Sequence, residues 1–459
     1  MILDIIALLD RSSEDWIEFS AGQNTYTNLR RFENHNLAYS LCVQILGYFK
    51  LLLVHFVFYK QPRNNSDVLF FAVTANQFSV LEPIALEMSS STYSFVIGDV
   101  LRTKRAKSIV KMLNVQFNLI ELVTIFFIQF RRLKVLWKLF LDKPRLFFLR
   151  GKNIFSVHFW LVSHYSLVKK IRPKLVIVAN DHSAETRSLI EVCKSFKIKI
   201  AYVQHAEVSE RFHSLDFDIS FLYGQHSLDI YKNCDERRAK NSSPPVKRYY
   251  SLVGSLRNIK QKTHKKSTNI ERKKNRVGLL VKGTDKATDV IKYIKHLSQF
   301  GDIVVRPHPN MKHAELRRKI NAGLSNKIEF SNPIQESPEV YLSSLQILIS
   351  GNSTMLLEAA ILGVMPIYVE CMSAGAKDYY GFVKNNISVY AKTVASISYL
   401  EIEASKKYSS ETEAVQYYNY SYRTPYFGKE AEVVNRMIDE YLNDDLSGFD
   451  EFKSISGTT

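Results

Sequence analysis

The sequence predicts an α/β protein of two Rossmann-like domains facing each other across a cleft, with a helical N-terminal extension. Three observations carry this. Short apolar runs rich in Val, Ile, Phe and Tyr recur from residue 67, segments of helical spacing lie between them, and the alternation stops over 256–275 before restarting.

In the first half, "DVLFFAVTA" (67–75), "KLVIVAND" (174–181), "IKIAYVQHA" (198–206), "DISFLYG" (218–224) and "YYSLVGS" (249–255) each end in polar residues or glycine, as buried parallel strands do. Between the second and third, "SAETRSLIEVCKSFK" (183–197) has helical spacing and completes a β-α-β unit. The second half repeats this grammar: strands at 276–283, 302–307, 327–330, 346–351 and 365–370, with helices over 286–299, 338–344 and 353–363. The predicted divisions are therefore 1–255, a basic linker at 256–275, a second domain at 276–430, and a C-terminal helix and tail at 431–459.

With 459 residues, 46% of them apolar, the chain can bury more than one core. The four cysteines are far apart without CxxC spacing, so neither a disulfide framework nor a zinc site is expected, and a reducing cytoplasm fits. Asp4, Asp10, Glu14 and Asp15 give the N-terminus the wrong charge for a secretory signal, and no cleaved leader is expected. The net charge of +17 calls for an anionic partner: nucleic acid, anionic lipid or phosphorylated substrate. "RRLKVLWKLFLDKPRLFFLRGK" (131–152) mixes basic and aromatic residues as a membrane-surface segment does, whereas 257–276 is basic without aromatics and reads as a solvated linker. The apolar segment 37–59 contains Gln44, Lys50 and His55, which favours a buried or interfacial helix over a spanning one.

Ligands of open α/β sheets sit at the carboxyl ends of strands. Four loops fall there: "NDHSAE" (180–185), "QHAEVSE" (204–210), "RPHPN" (306–310) and "SGNST" (350–354). In the last, Ser350 and Gly351 end a strand, and Asn352 or Ser353 is placed to cap a helix whose first-turn N–H groups, with Thr354, suit a phosphate. Glu358, one turn on, suits paired ribose hydroxyls. Pro307 and Pro309 restrict the backbone around His308, which is thereby aimed at a leaving phosphate, with Arg306, Lys282 and the adjoining Gly283 contributing to the same field. On the first domain, Asp181, His182, Glu185, His205 and Glu207 are candidates for the acceptor side; Asp181 is the first choice of general base and Glu207 the second. Asp216 and Asp218 form a DxD at a strand entrance, not a strand exit, so no metal is expected there.

"RPHPN" followed by "SGNSTMLLEAA" resembles the donor site of GT-B glycosyltransferases of bacterial surface polysaccharides, including sialyltransferases, octulosonate transferases of capsule synthesis and teichoic-acid glycerophosphate polymerases. The segment 179–208 is similar to the acceptor side of the capsule-type members. The resemblance spans about 170–430. It implies an inverting, metal-independent transferase in which His308 and Ser353 or Thr354 contact the phosphate of a nucleotide sugar, a CMP-linked nonulosonate or octulosonate ahead of a UDP-sugar. It further implies a glycan or lipid-linked glycan acceptor and a place on the inner face of the bacterial plasma membrane, with no cofactor. Several members carry two serines where this chain has Ser353 and Thr354, so the motif does not name the nucleotide. The alternatives are a CDP-glycerol-type phosphotransferase and a UDP-sugar 2-epimerase; the latter would open with a glycine and arginine turn after an N-terminal first strand, which "MILDIIALLDRSSEDWIEF" lacks. A nucleic-acid-binding protein is the alternative of another class, but the basic residues form no recognisable module and nucleic acid is not expected as a partner.

Overall fold

The computed structural model describes residues 4–5, 37–56, 66–88, 93–97, 112–114, 116–142, 144–180, 183–209, 212, 215–239, 247–256, 276–283, 285–309, 311, 313–324, 328–373, 376–405 and 408–453. Asp181, His182 and the basic segment 257–275 fall outside them. An N-terminal helix, α1 (Leu37–His55), precedes the first sheet. Two of its polar residues face protein, while Lys50 is exposed: Gln44 accepts the Lys152 N–H at 3.2 Å, and His55 is buried with Nδ1 bonded to the Leu51 carbonyl at 2.9 Å. Among the described residues no helix is long and apolar enough to cross a membrane.

The first sheet contains β1 (Val68–Ala72), β2 (Tyr93–Ile97), β3 (Met112–Asn114), β4 (Leu175–Val178), β5 (Lys199–Val203), β6 (Ile219–Leu222) and β7 (Tyr249–Leu252), all parallel in the order β7-β6-β5-β4-β1-β2-β3. Both faces are covered, which is why strands such as VLFFA read as unbroken apolar runs. Phe70 and Ile177 pack with α2 (Ala75–Glu87) on one face, and Phe71 and Val178 with the opposite layer. That layer holds α3 (Leu119–Arg131), α4 (Leu133–Asp142), the long α5 (Pro144–Ile171), α6 (Ala184–Ser195) and α7 (Gln225–Ala239). The basic and aromatic stretch 131–152 is thus not one helix. It divides at Pro144, which opens α5 as proline does at a first helical turn.

The second sheet runs parallel in the order β10-β9-β8-β11-β12-β13. Its strands are β8 (Arg276–Val281), β9 (Asp302–Pro307), β10 (Glu329–Phe330), β11 (Ile347–Ser350), β12 (Met365–Val369) and β13 (Val389–Ala391). Helices α8 (Ala287–Leu297), α9 (His313–Ala322), α10 (Pro338–Ser343) and α11 (Met355–Ile361) connect them. The chain then passes through α12 (Tyr399–Ser405) and α13 (Thr412–Tyr418) and returns to the first sheet. There α14 (Glu430–Leu442) packs on its core, and β14 (Asp450–Glu451) pairs antiparallel with β7. The returning segment docks closely: the Tyr420 N–H donates to the Tyr223 carbonyl at 2.8 Å, and a Cβ on Gly224 would lie 2.6 Å from the Tyr417 carbonyl oxygen.

Candidate functional site

Strand order reverses direction at one place in each sheet, between β1 and β4 in the first and between β8 and β11 in the second. The crevice at such a reversal is where ligands enter open α/β sheets. In the second domain β8 is flanked by β9 and β11, so the loops holding Lys282 and Gly283, His308, and 350–354 are immediate neighbours.

Lys282 binds this group together. Its Nζ donates to the Asn352 carbonyl, and its N–H donates to Asp285 Oδ2 at 2.7 Å. Burial pushes its ammonium below the usual lysine range, with Asp285 opposing. Gly283 is exposed, with room for a Cβ. The His308 backbone is fixed on both sides: its N–H donates to the Val281 carbonyl at 2.8 Å, and its own carbonyl accepts from Met311 N–H at 3.0 Å and from His313 Nε2 at 3.1 Å. The imidazole is held below its ordinary pKa by partial burial, then by Lys282 and His313. Both influences favour the neutral imidazole.

The loop after β11 is shaped by close approach. A Cβ on Gly351 would meet the Met372 carbonyl oxygen at 2.3 Å, so glycine lets the backbone pass. Ser353 Oγ accepts the Met355 N–H at 3.3 Å, while the hydroxyl of Thr354 makes no capping bond. Asn352 is turned differently from the expected helix cap. Its Oδ1 accepts the Tyr379 N–H at 3.0 Å and its Nδ2 donates to the Ala376 carbonyl at 2.7 Å, fixing the loop after β12. Ser350 Oγ is buried and has no hydrogen-bond partner among the described residues. Glu358 lies half-buried on α11, where its charge reinforces that of Arg306.

Arg306 is placed otherwise than expected. Alternation along β9 puts it on the face of Val304 and Tyr341, where the guanidinium is buried 4.9 Å from the Tyr341 ring centroid. It donates to Ser331 Oγ at 2.5 Å, to Glu336 Oε2 at 3.3 Å and to the Glu336 carbonyl at 2.9 Å. Those bonds engage both terminal nitrogens of the guanidinium inside the domain.

On the first domain, Ser183 caps α6 by accepting the Thr186 N–H at 3.1 Å, and Glu185 is buried in that helix's first turn. After β5, the buried Gln204 holds the loop by accepting the Tyr223 N–H at 2.8 Å and donating to Ser227 Oγ and the Ala206 carbonyl, each at 2.9 Å. His205 is half-buried on this loop. Glu207 is buried, with Oε2 4.0 Å from Nδ1 of His226. Burial lowers the His226 pKa to about 4, and its ring packs against Tyr418 at 4.2 Å. The same loop reaches the second domain, where Ser209 Oγ and the Tyr379 hydroxyl are hydrogen-bonded at 2.6 Å.

His226, Tyr379 and Tyr418 are the members that motif reading missed. His226 follows the carboxyl end of β6 and was open to the same rule that selected the other loops; the tyrosines lie in 376–418, which carries no recognisable motif. The DxD acids are structural: Asp216 pairs with Lys194 at 2.5 Å, and Asp218 accepts the Ile200 N–H at 2.7 Å.

Two doubly wound sheets, with the C-terminal helix returned to the first, make up the GT-B fold. By sequence the chain matches no family profile and no curated protein. By structure it is similar to the S. aureus MnaA–UDP co-structure, with TM-score 0.50 and 12% identity over 82% of this chain and 96% of that one. Other similar structures are the glycotransferase of kitacinnamycin (TM-score 0.49, 11% identity, 83% and 100% covered) and the UDP-GlcNAc 2-epimerase from Methanocaldococcus jannaschii (0.48, 15%, 81% and 99%).

Proposed function

We propose that the chain is a glycosyltransferase that moves a sugar from a nucleotide-activated donor to a glycan acceptor with inversion. The observation that carries this is the meeting of Lys282, His308, Ser353 and Thr354 at the strand-order reversal of the second domain, opposite a first-domain loop with a buried carboxylate, Glu207. Lys282 and the 353–354 loop bind the phosphate. His308 takes up a proton as the phosphate arrives and returns it to the phosphate oxygen as the bond to the sugar breaks. A first-domain carboxylate, Asp181 or Glu207, accepts the proton of the acceptor hydroxyl on the opposite face of the sugar. Transfer is favoured over epimerisation by the turn after β1. The described first strand starts at Val68, and "VTANQ" (73–77) contains neither the glycine nor the arginine expected of an epimerase.

The test is a panel of CMP- and UDP-sugars with and without glycan acceptor. CMP-nonulosonates and octulosonates come first because of the RPHPN and SGNST resemblance, UDP-sugars second because MnaA was solved with UDP. Nucleotide release that depends on acceptor, with an inverted anomeric centre in the product, supports the reading. Inversion at C2 without nucleotide release makes the protein an epimerase. In Asp181→Asn and Glu207→Gln, the variant that binds donor but transfers no sugar identifies the base, because an amide cannot accept the proton.

A further inference from the structure

We infer that α1, α3 and α4 together form a membrane-docking face that seats the first domain in an anionic lipid surface. Soluble helices bury one apolar stripe and show water a polar one. These do not. On α3, Thr124, Ile125 and Ile128 are buried, yet Leu119, Val123, Phe126, Phe127 and Phe130 line the outward side, Phe130 at 72% exposure. On α4, Leu136 faces the protein while Leu133, Trp137 and Leu141 recur every four residues facing out, each more than half exposed. On α1, Leu46, Phe49 and Leu53 are exposed, Leu53 at 78%. The three helices form one surface: Gln129 of α3 donates to the Tyr48 hydroxyl of α1 at 2.5 Å, only Arg132 separates α3 from α4, and all three pack on α5.

Charge selects the occupant. Segments 37–55 and 119–152 contain nine basic residues and two acidic ones. Lys134 and Lys138 are exposed on either side of Trp137, and the Arg131 guanidinium lies 5.9 Å from the Phe127 ring centroid. Basic side chains interleaved with outward aromatics fit headgroup phosphates above and acyl chains below. A second copy of the same face would set these cations against their own kind. Position gives the face a role. Asn118, which caps α3, lies four residues beyond the last residue of β3, at the carboxyl end of the sheet that also carries the loops after β4 and β5. On the proposed transferase reading, docking brings those acceptor loops to headgroup level, which suits a lipid-linked glycan.

The experiment is vesicle flotation of the full chain, which needs no nucleotide and so stands apart from the assignment of activity. Phosphatidylcholine vesicles with and without phosphatidylglycerol are compared at low and high salt, and Trp137 emission is followed in a Trp16→Phe background, where the other tryptophan, Trp160, is buried. Expected are flotation with phosphatidylglycerol, release by salt, and a blue-shifted Trp137 quenched by brominated acyl chains. Lys134→Ala with Lys138→Ala should weaken binding by about tenfold or more. Leu133→Ser with Trp137→Ser and Leu141→Ser should weaken it at least as much, with melting temperature retained because these side chains point outward. The inference is overturned if the wild type ignores phosphatidylglycerol vesicles at low salt, if it floats with Trp137 still in water, or if the serine variant floats unchanged. It is equally overturned if the face drives self-association that the serine variant abolishes while vesicles are ignored.

Discussion

Protonation of His308 makes donor binding depend on pH in a calculable direction. In the free protein its pKa is depressed by partial burial and by Lys282 and His313, while Asp285 acts mainly on Lys282. A phosphate reverses the balance. At about 5 Å and an effective dielectric of about 40, each unit of negative charge favours the imidazolium by roughly 1.7 kcal/mol, somewhat more than tenfold. By linkage, donor affinity is then flat above the pKa of the complex, rises as pH falls through it, and levels off below the lower pKa of the free protein. Part of that gain should appear between about pH 8 and pH 6, and the rest below the lowered pKa of the free imidazole. An intact nucleotide sugar is the right ligand, because it lacks the phosphate ionisation near pH 6 that a monoester brings. Calorimetry in two buffers of different ionisation enthalpy should show proton uptake on binding. His308→Gln should bind more weakly at low pH and take up no proton, with His313→Gln a lesser effect. Uptake that persists in His308→Gln, or a pH-independent wild type, would refute the placement of phosphate beside His308.

Ser353→Ala with Thr354→Val should weaken nucleotide binding by about tenfold or more, since hydrogen bonds to a charged group are worth about 1.5–3 kcal/mol each; titration with the nucleotide checks it. Arg306→Met should lower stability by about 2–3 kcal/mol, below the full cost of breaking a buried pair because Glu336 is partly exposed, while nucleotide affinity is retained; a loss of affinity without loss of stability would return Arg306 to the ligand. Gly351→Ala should cost about 1–3 kcal/mol in denaturant unfolding and also weaken nucleotide binding, because the new Cβ displaces Met372 and with it Ser373, whose hydroxyl accepts the Asn352 N–H at 3.1 Å. Tyr379→Phe removes the bond to Ser209 but not the backbone bond to Asn352, so acceptor KM should rise with nucleotide Kd unchanged.

Most strands buried on both faces were legible, Tyr93–Ile97 being an exception. Runs such as Leu175–Val178 and Ile347–Ser350 have no polar side to blur them. Two edge strands were missed: Met112–Asn114 and Val389–Ala391 are three residues each, too short for periodicity to register. Of the candidate residues, His308 and 351–354 were selected because they lie just past strand ends, where a simple topological rule applies. Arg306 lies one residue inside the strand end. Pleat alternation decided its face, and sequence alone does not say which face carries Tyr341 and Glu336. The basic and aromatic character of 131–152 was visible in composition, but the exposed apolar surface it adjoins is assembled from α1, α3 and α4, and more than sixty residues separate α1 from α3.

Asn352 ties these observations together. It reads as a donor-side residue, yet its side chain is spent on Ala376 and Tyr379, and the Tyr379 hydroxyl in turn meets Ser209 of the loop that carries Glu207. A run of hydrogen bonds thus leads from the Lys282 ammonium, through the Asn352 carbonyl and side chain, to the loop of the other domain that carries Glu207. Phosphate bound between Lys282 and Ser353 would change the field on the first of these groups, and Tyr379 is where that change would meet the first-domain loop. The arrangement accounts for an asparagine at a position where the sequence alone offers only a helix cap. Its side chain has both a donor and an acceptor, and here both are used to hold the loop that bridges the domains.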